Sequence, residues 1–247
     1  MKAASADQLR LLDVQALDST IDRLAHRRTS LPELGQIETL QTRDGEIADD
    51  IVRAETEDSD LGREQARVDA DVELVRGRLD RDQKRLDDGQ VGSPRELENL
   101  QSEIGSLHKR QSDLEDAELE VMEQREAIEG RLKALRAEQE RVTTSLAAAK
   151  VQRDATWSEV DADSEKATAQ RAELIATLPD DLVARYEKLR ASSGGVGAAA
   201  LHRGRCEGCH LQLNTTDLNH LRDAPDDEVL RCEECRRILI RTDESGL

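Results

Sequence analysis

Phenylalanine is absent from this 247-residue chain, which also has a single tryptophan, Trp157, and a single tyrosine, Tyr186. Aromatic side chains carry much of the apolar area of globular cores, so a wide compact core is excluded. Proline occurs only four times, which leaves long stretches free of helix breakers. No segment approaches the ~20 consecutive apolar residues that span a membrane. The residues after Met1, KAASADQLRLLDVQALD, hold no unbroken apolar run of the kind a secretory signal needs. Both absences point to a cytoplasmic chain, where thiols are kept reduced. Positive charge is also in deficit, with 36 Lys and Arg against 54 Asp and Glu, a net of −18. Residues 201–247 hold seven Arg against ten Asp or Glu, a net of −3, which leaves −15 on residues 1–200. That long segment repels phosphate backbones, and the scarcity of aromatics removes a base-stacking platform. Nucleic acid, if bound, must be held by a local patch.

What remains is rich in Ala, Glu, Arg, Leu and Asp, a composition that suits long helices with a narrow apolar seam. In the first helical stretch, Val14, Leu17, Ile21 and Leu24 are spaced three, four, three and share a face. Pro32 predicts a kink or short break after it, since it disfavours helical geometry at Leu31 and suits the start of a new helix. From Ile37 to Leu86, alternating steps of three and four pass through fifteen positions of which only Asp44, Asp58, Gln65 and Asp82 are polar. A repeat this long is a coiled coil and not disorder. Two glycines and a proline in LDDGQVGSPRELENL, 86–100, predict a turn near 87–94. Ser93, Pro94 and Glu96 then form a capping-box signature. A second seam runs through sixteen positions from Leu97 to Ala149, polar only at Gln111, Glu118, Arg125 and Gln139. Seams of matching length joined by a tight turn predict an antiparallel hairpin with arms of roughly 75 Å at ~1.5 Å per residue. Asp58 and Arg125 pair in one register, but the pattern does not choose it. Val91, Leu97 and Leu100 offer apolar surface near the hairpin tip.

Pro179 predicts a helix break with a short restart to Leu189, and SSGGVG, 192–197, a flexible joint. The glycine run lacks the Lys and Ser/Thr of a phosphate-binding loop. The fold class is therefore mostly α, with a long antiparallel coiled-coil hairpin over 1–190 and a small C-terminal β zinc ribbon over 191–247. In that last part, AAALHRGRCEGCHLQL and EVLRCEECRRILIRT each suggest strand, knot, strand, and Asn214 caps a short helix between them.

All four cysteines fall in these knots, as C-x2-C-x22-C-x2-C: Cys206, Cys209, Cys232 and Cys235. Each C-x-x-C turn aims two thiolates at one point, and two turns complete a tetrahedron around Zn2+ at about 2.3 Å. The interval slightly exceeds the usual ~15–20 residues; the capped helix fills it. Four thiolates leave no open coordination position, so the predicted single zinc is structural and supplies much of the folding free energy of so small a module. Disulfides or redox-active pairs are the competing readings. His202, His210 and His220 are read as surface or packing residues. Arg203, Arg205, Arg236, Arg237 and Arg241 crowd the knots; they either converge into a basic face for phosphate or balance Glu207, Glu233 and Glu234 as exposed pairs. Nothing in the sequence argues for catalysis, a small-molecule substrate or membrane insertion.

Three stretches, LLDVQALDSTIDRLAHRRTSLPEL, SPRELENLQSEI and CEGCHLQL…LRCEECRRILI, occur in an order that resembles the bacterial C4-type zinc-ribbon proteins with a long coiled-coil hairpin. The likeness covers nearly the whole chain. It implies an elongated, non-enzymatic adaptor, related to regulators of flagellar or secretion systems. Such an adaptor binds protein partners, a sigma factor or secretion-apparatus proteins among them, through the coiled coil, and protein or nucleic acid, RNA or DNA, through the ribbon, in gene regulation; the alternative is a purely structural or chaperone-like module, a secretion or transcription-complex partner, that binds no nucleic acid. By that resemblance the four cysteines are the zinc ligands and the five arginines the nucleic-acid candidates. Two departures stand out. Arg236 takes the place where the family often has Gly after the last cysteine, which predicts a looser second knuckle, and the ribbon is net acidic.

Overall fold

The computed structural model describes residues 1–247, in the order α1 (Ser5–Thr29), α2 (Pro32–Asp87), α3 (Pro94–Ile175), α4 (Asp180–Ser192), β1 (Ala198–His202), β2 (Arg205–Cys206), α5 (Thr215–Asp223) and β3 (Ile238–Ile240). The chain groups into two compact units, one formed by Met1–Gly35 with Lys150–Leu247 and the other by Gln36–Ala149. No helix is long and apolar enough to cross a membrane.

Gln36–Ala149 is the antiparallel hairpin. All fifteen positions of the first seam are buried or half-buried, as are all of the second except Leu97. Apolar clusters recur along it: Ile37 with Leu146 and Ala149, Ala54 with Ile128 and Leu132, Val68 and Val72 with Leu114. Polar layers between them settle the register. Arg125 donates from Nε to Asp58 at 3.2 Å and from Nη1 to Gln65 at 2.9 Å, so the Asp58–Arg125 register is the one adopted. At the turn, Ser93 Oγ accepts from the Glu96 amide at 3.3 Å, and Glu96 accepts in return from the Gly92 amide at 3.0 Å. The predicted capping box is present, shifted by one donor. Leu100 is buried, whereas Leu97 is 38% exposed.

The other unit is discontinuous in sequence. The expected boundary at residue 190 coincides with a change of secondary structure, and the three-stranded sheet beyond it shares a core with α1 and α4. Strand order is β2-β1-β3, with β1 antiparallel to β2 and parallel to β3. Side chains alternate across a strand. Ala198, Ile238 and Ile240 pack on Leu11, Val14, Leu182, Tyr186 and Leu189. Ala199, Leu201 and Leu239 instead meet Cys206, Leu213, Leu221, Leu230 and Cys232.

The buried face of α1 is Gln8, Leu11, Val14, Gln15 and Asp18, offset from the predicted face, and three of those five are polar. Their partners explain the offset. Gln8 donates to the carbonyls of Ala3 and Asp226. The Asp18 carboxylate accepts from Tyr186 Oη at 2.6 Å and from Arg171 Nε at 2.6 Å, with Arg190 Nε at 3.4 Å. Gln15 accepts from the Gly197 amide at 2.8 Å and donates to the Gly195 carbonyl at 3.0 Å. These bonds, with Arg237 donating to the Ser193 and Val196 carbonyls, pin the segment predicted to be a flexible joint. A Cβ at Gly197 would lie 2.7 Å from the Tyr186 carbonyl, so the close approach requires glycine there. Where α1 ends, Trp157 donates to the Arg28 carbonyl at 3.0 Å, and the guanidiniums of Arg28 and Arg153 lie over its ring at 4.8 and 4.6 Å.

Candidate metal centre and its surroundings

Each cysteine pair sits on a turn built in the same way. His210 N–H bonds the Cys206 carbonyl at 2.8 Å and Arg236 N–H bonds the Cys232 carbonyl at 2.9 Å. Cys206 N–H reaches the Leu211 carbonyl at 3.1 Å, and Cys232 N–H the Arg237 carbonyl at 3.0 Å. The residue after each second cysteine has positive φ, +62° at His210 and +65° at Arg236. The second knuckle is therefore wound as tightly as the first, contrary to expectation. An L-residue in this left-handed region carries roughly 1 kcal/mol of strain. Arg236→Gly is accordingly expected to raise stability by about 0.5–1 kcal/mol, read as a higher midpoint in thermal unfolding of the zinc-loaded protein. An unchanged or lowered midpoint contradicts this.

The four Sγ atoms lie within 4.8 Å of one another. Their closest approaches run between knuckles, 3.9 Å for Cys206–Cys235 and 3.9 Å for Cys209–Cys232. A tetrahedron with Zn–S of about 2.3 Å has S···S edges of about 3.8 Å, so the donor set fits one zinc ion, and all four cysteines are free of disulfides. Cys206 and Cys232 are buried, while Cys209 and Cys235 are half-buried at the rim. Burial pushes the Cys206 thiol up to about 12, although the amides of Cys209 and Gly208 face its sulfur, and burial pushes Cys232 up as well. Burial acts upward on Cys235 too, but the Arg237 amide and the neighbouring thiols outweigh it and hold it below the ordinary range. A buried dication reverses this balance, because it stabilises the thiolates that burial alone disfavours. Zinc here holds the two knuckles together, and its four ligands would leave no coordination position for a substrate.

Of the five arginines, two are committed to backbone carbonyls. Arg237 is turned inward, donating to the carbonyls of Ser193, Val196 and Gly208 at 2.7 to 3.0 Å. Arg241 closes the end of α5 by donating to Leu221, Ala224 and Pro225 carbonyls. Unsatisfied backbone carbonyls at a helix end and a loop attract these cations more strongly than solvent does. Arg205 lies 3.9 Å from Glu207 and Arg236 3.3 Å from Glu233, pairs that match the exposed-pair alternative, and Arg203 is exposed. His202 faces Glu244 at 3.5 Å, His210 faces Glu207 at 4.0 Å, and His220 is exposed on α5, so no histidine joins the thiol cluster. Sequence reasoning missed the Asp18–Tyr186–Arg171 network; the solitary tyrosine was the one available signal.

Comparison with known proteins agrees with this geometry. Residues 14–194 match the CT398-like coiled coil hairpin domain and residues 205–239 the C4-type zinc ribbon domain. The uncharacterized protein Rv2229c of Mycobacterium tuberculosis is 36% identical over 241 residues, which covers 98% of both chains. ML1638 of Mycobacterium leprae, also uncharacterized, is 30% identical over 218 residues, 88% of this chain and 93% of its own. A solved structure from Mycobacterium smegmatis superposes with a TM-score of 0.84 at 32% identity, covering 98% of this chain and 100% of that one. CT398 from Chlamydia trachomatis shares the fold at a TM-score of 0.70 and 19% identity, over 96% of this chain and 98% of its own. The hairpin and the four-cysteine ribbon together place this chain in the CT398-like coiled-coil hairpin family with a C-terminal C4-type zinc ribbon.

Proposed function

We propose that the protein is a non-enzymatic adaptor that binds protein partners through its helical hairpin, in a gene-regulatory or secretion setting. The hairpin carries this reading. A two-helix seam encloses little volume and turns most of each helix outward, and here the outward faces keep Val52, Leu74, Leu119 and Met122 exposed among charged residues. Removing two matched heptads from each arm keeps the seam in phase and shortens only the outward faces. Capture of partners by the full-length protein in extracts of its own organism is expected to be lost with that shortened hairpin. Partners retained equally by both chains would contradict the reading.

Contact of the ribbon with RNA or DNA is the second reading, favoured by Arg203, Arg205 and Arg236, whose side chains remain exposed. The net acidic ribbon and the inward turn of Arg237 and Arg241 weigh against it. Mobility shifts with RNA and DNA across salt concentrations separate the two. The adaptor reading expects none, whereas phosphate binding through these arginines weakens steeply with salt and when all three become Glu.

A further inference from the structure

In the middle of α3 the buried seam residues Leu114, Val121 and Ile128 alternate with polar ones. Its seam holds the polar side chains of Gln111, Glu118 and Arg125, all half-buried. Two large apolar residues one turn apart, Leu119 and Met122, stand outside the seam and are 58% and 46% exposed. Together with Gln65, Arg125, Glu123 and Glu126 they line a groove of about 430 Å³. Residues three and four apart share a helix face, so Leu119, Met122, Glu123 and Glu126 form one stripe, apolar at one end and acidic at the other.

The charge around this stripe selects what can cover it. Residues 113–129 carry eight carboxylates and one cation, Arg125. Arg125 is already paired with Asp58, and Arg76 neutralises Glu115. Glu123 and Glu126, which flank the apolar pair, form no ion pair of their own. A second copy of this chain would bring the same carboxylates against them, and a phosphate backbone or an anionic lipid surface would be repelled in the same way. The complementary shape and charge belong to a helix with apolar residues at i, i+3 or i+4, and i+7, flanked by Lys or Arg.

We propose that the Leu119–Met122 groove is the docking site for a basic amphipathic helix of a partner protein. This deepens the adaptor reading and rests on it. Anchoring falls to the two apolar side chains, whose burial supplies affinity, while Glu123 and Glu126 orient the helix and raise its association rate.

The test uses the full-length zinc-loaded protein and a labelled synthetic peptide of about 20 residues, with Leu at the i, i+4, i+7 positions and Lys elsewhere. Fluorescence anisotropy is expected to show saturable 1:1 binding. Leu119→Ser with Met122→Ser should weaken it by about tenfold or more, as should Glu123→Gln with Glu126→Gln, and the same peptide with Glu in place of Lys should not bind. All four positions are surface positions, and an unchanged circular dichroism spectrum confirms that each variant folds. No saturable binding, or equal affinity for Leu119→Ser with Met122→Ser, overturns the proposal, because attraction is then absent or merely Coulombic. The same variants used as bait in native extract separate the two levels of inference. Partners captured equally by wild type and both double variants overturn this groove and leave the adaptor reading standing. Capture of no partner by any of them overturns both.

Discussion

Chelating the zinc, or replacing Cys206 and Cys232 by serine, is expected to unfold the zinc-facing side of the ribbon, the two knuckles and α5 included, while the hairpin helices persist. Two buried sulfurs sit at the centre of the small cluster that also holds Leu201, Leu213, Leu221, Leu230 and Leu239. Five leucines and an alanine are too few to hold the zinc-facing side of a sheet with strands of five, two and three residues. Structural zinc in modules of this kind contributes on the order of 10 kcal/mol, more than the rest of this cluster supplies. Amide hydrogen exchange should therefore show protection at Leu201, Leu230 and Leu239 in the loaded protein and its loss after chelation. Far-UV circular dichroism should fall only slightly, since α2 and α3 hold 56 and 82 residues of helix. Metal analysis should give one zinc per chain. Retained protection at those three leucines in metal-free protein would show that the ribbon folds without it. The pH dependence has a definite sign. The metal-free thiols of Cys206 and Cys232 are held in the protonated form by burial, so binding releases protons, affinity rises with pH, and zinc is lost on acidification.

The second large effect is expected at Asp18. Its carboxylate is only 2% exposed, accepts hydrogen bonds from Tyr186 and Arg171, and lies 3.4 Å from the Arg190 guanidinium. Removing one member of a buried charge network strands the others, a loss of about 3–5 kcal/mol. Asp18→Ala should therefore lower the urea midpoint far more than Tyr186→Phe, which removes a hydroxyl bonded to Asp18 and Gln15 at a cost of about 1–3 kcal/mol. The single tyrosine makes the network visible. Burial, and then the hydrogen bond to Asp18, raise Tyr186 well above its ordinary range. A raised folded-state value means that the neutral phenol is favoured by folding. That contribution is complete below the unfolded value of ~10 and is lost as pH climbs above it. Absorbance near 295 nm should show no phenolate in the wild type until the protein unfolds. Ionisation at ordinary alkaline pH in the native wild type would place Tyr186 outside any such network.

Periodicity carried the hairpin. Heptad spacing survives wherever burial alternates with solvent, and Leu97 was the one seam position left exposed. Register was hidden because Asp58, Gln65 and Arg125 can pair in several ways until the turn at Ser93 sets the phase. The zinc ligands were legible because metal geometry constrains spacing directly. The inner face of α1 was not. Hydrophobic periodicity placed the inner face of α1 on Val14, Leu17, Ile21 and Leu24, whereas the face is defined by Gln8, Gln15 and Asp18, whose burial depends on hydrogen-bond partners more than 150 residues away. The inward turn of Arg237 and Arg241 was hidden for a related reason. An arginine that serves backbone carbonyls and one that waits for phosphate are identical in sequence, and only the fold shows which carbonyls lack another donor.

Lys2 pairs with Asp227 across 225 residues of sequence, and Gln8 reaches the Asp226 carbonyl across 218. This stitching dictates an order of events in time. A ribosome releases α1 first and its partners last, at about 5–20 residues per second. The first helix therefore waits some tens of seconds with Leu11, Val14 and Asp18 uncovered, while the hairpin, closed by one short turn, is complete long before. Leu11, Val14 and Asp18 wait longer for their partners than any buried side chain of α3 or α4.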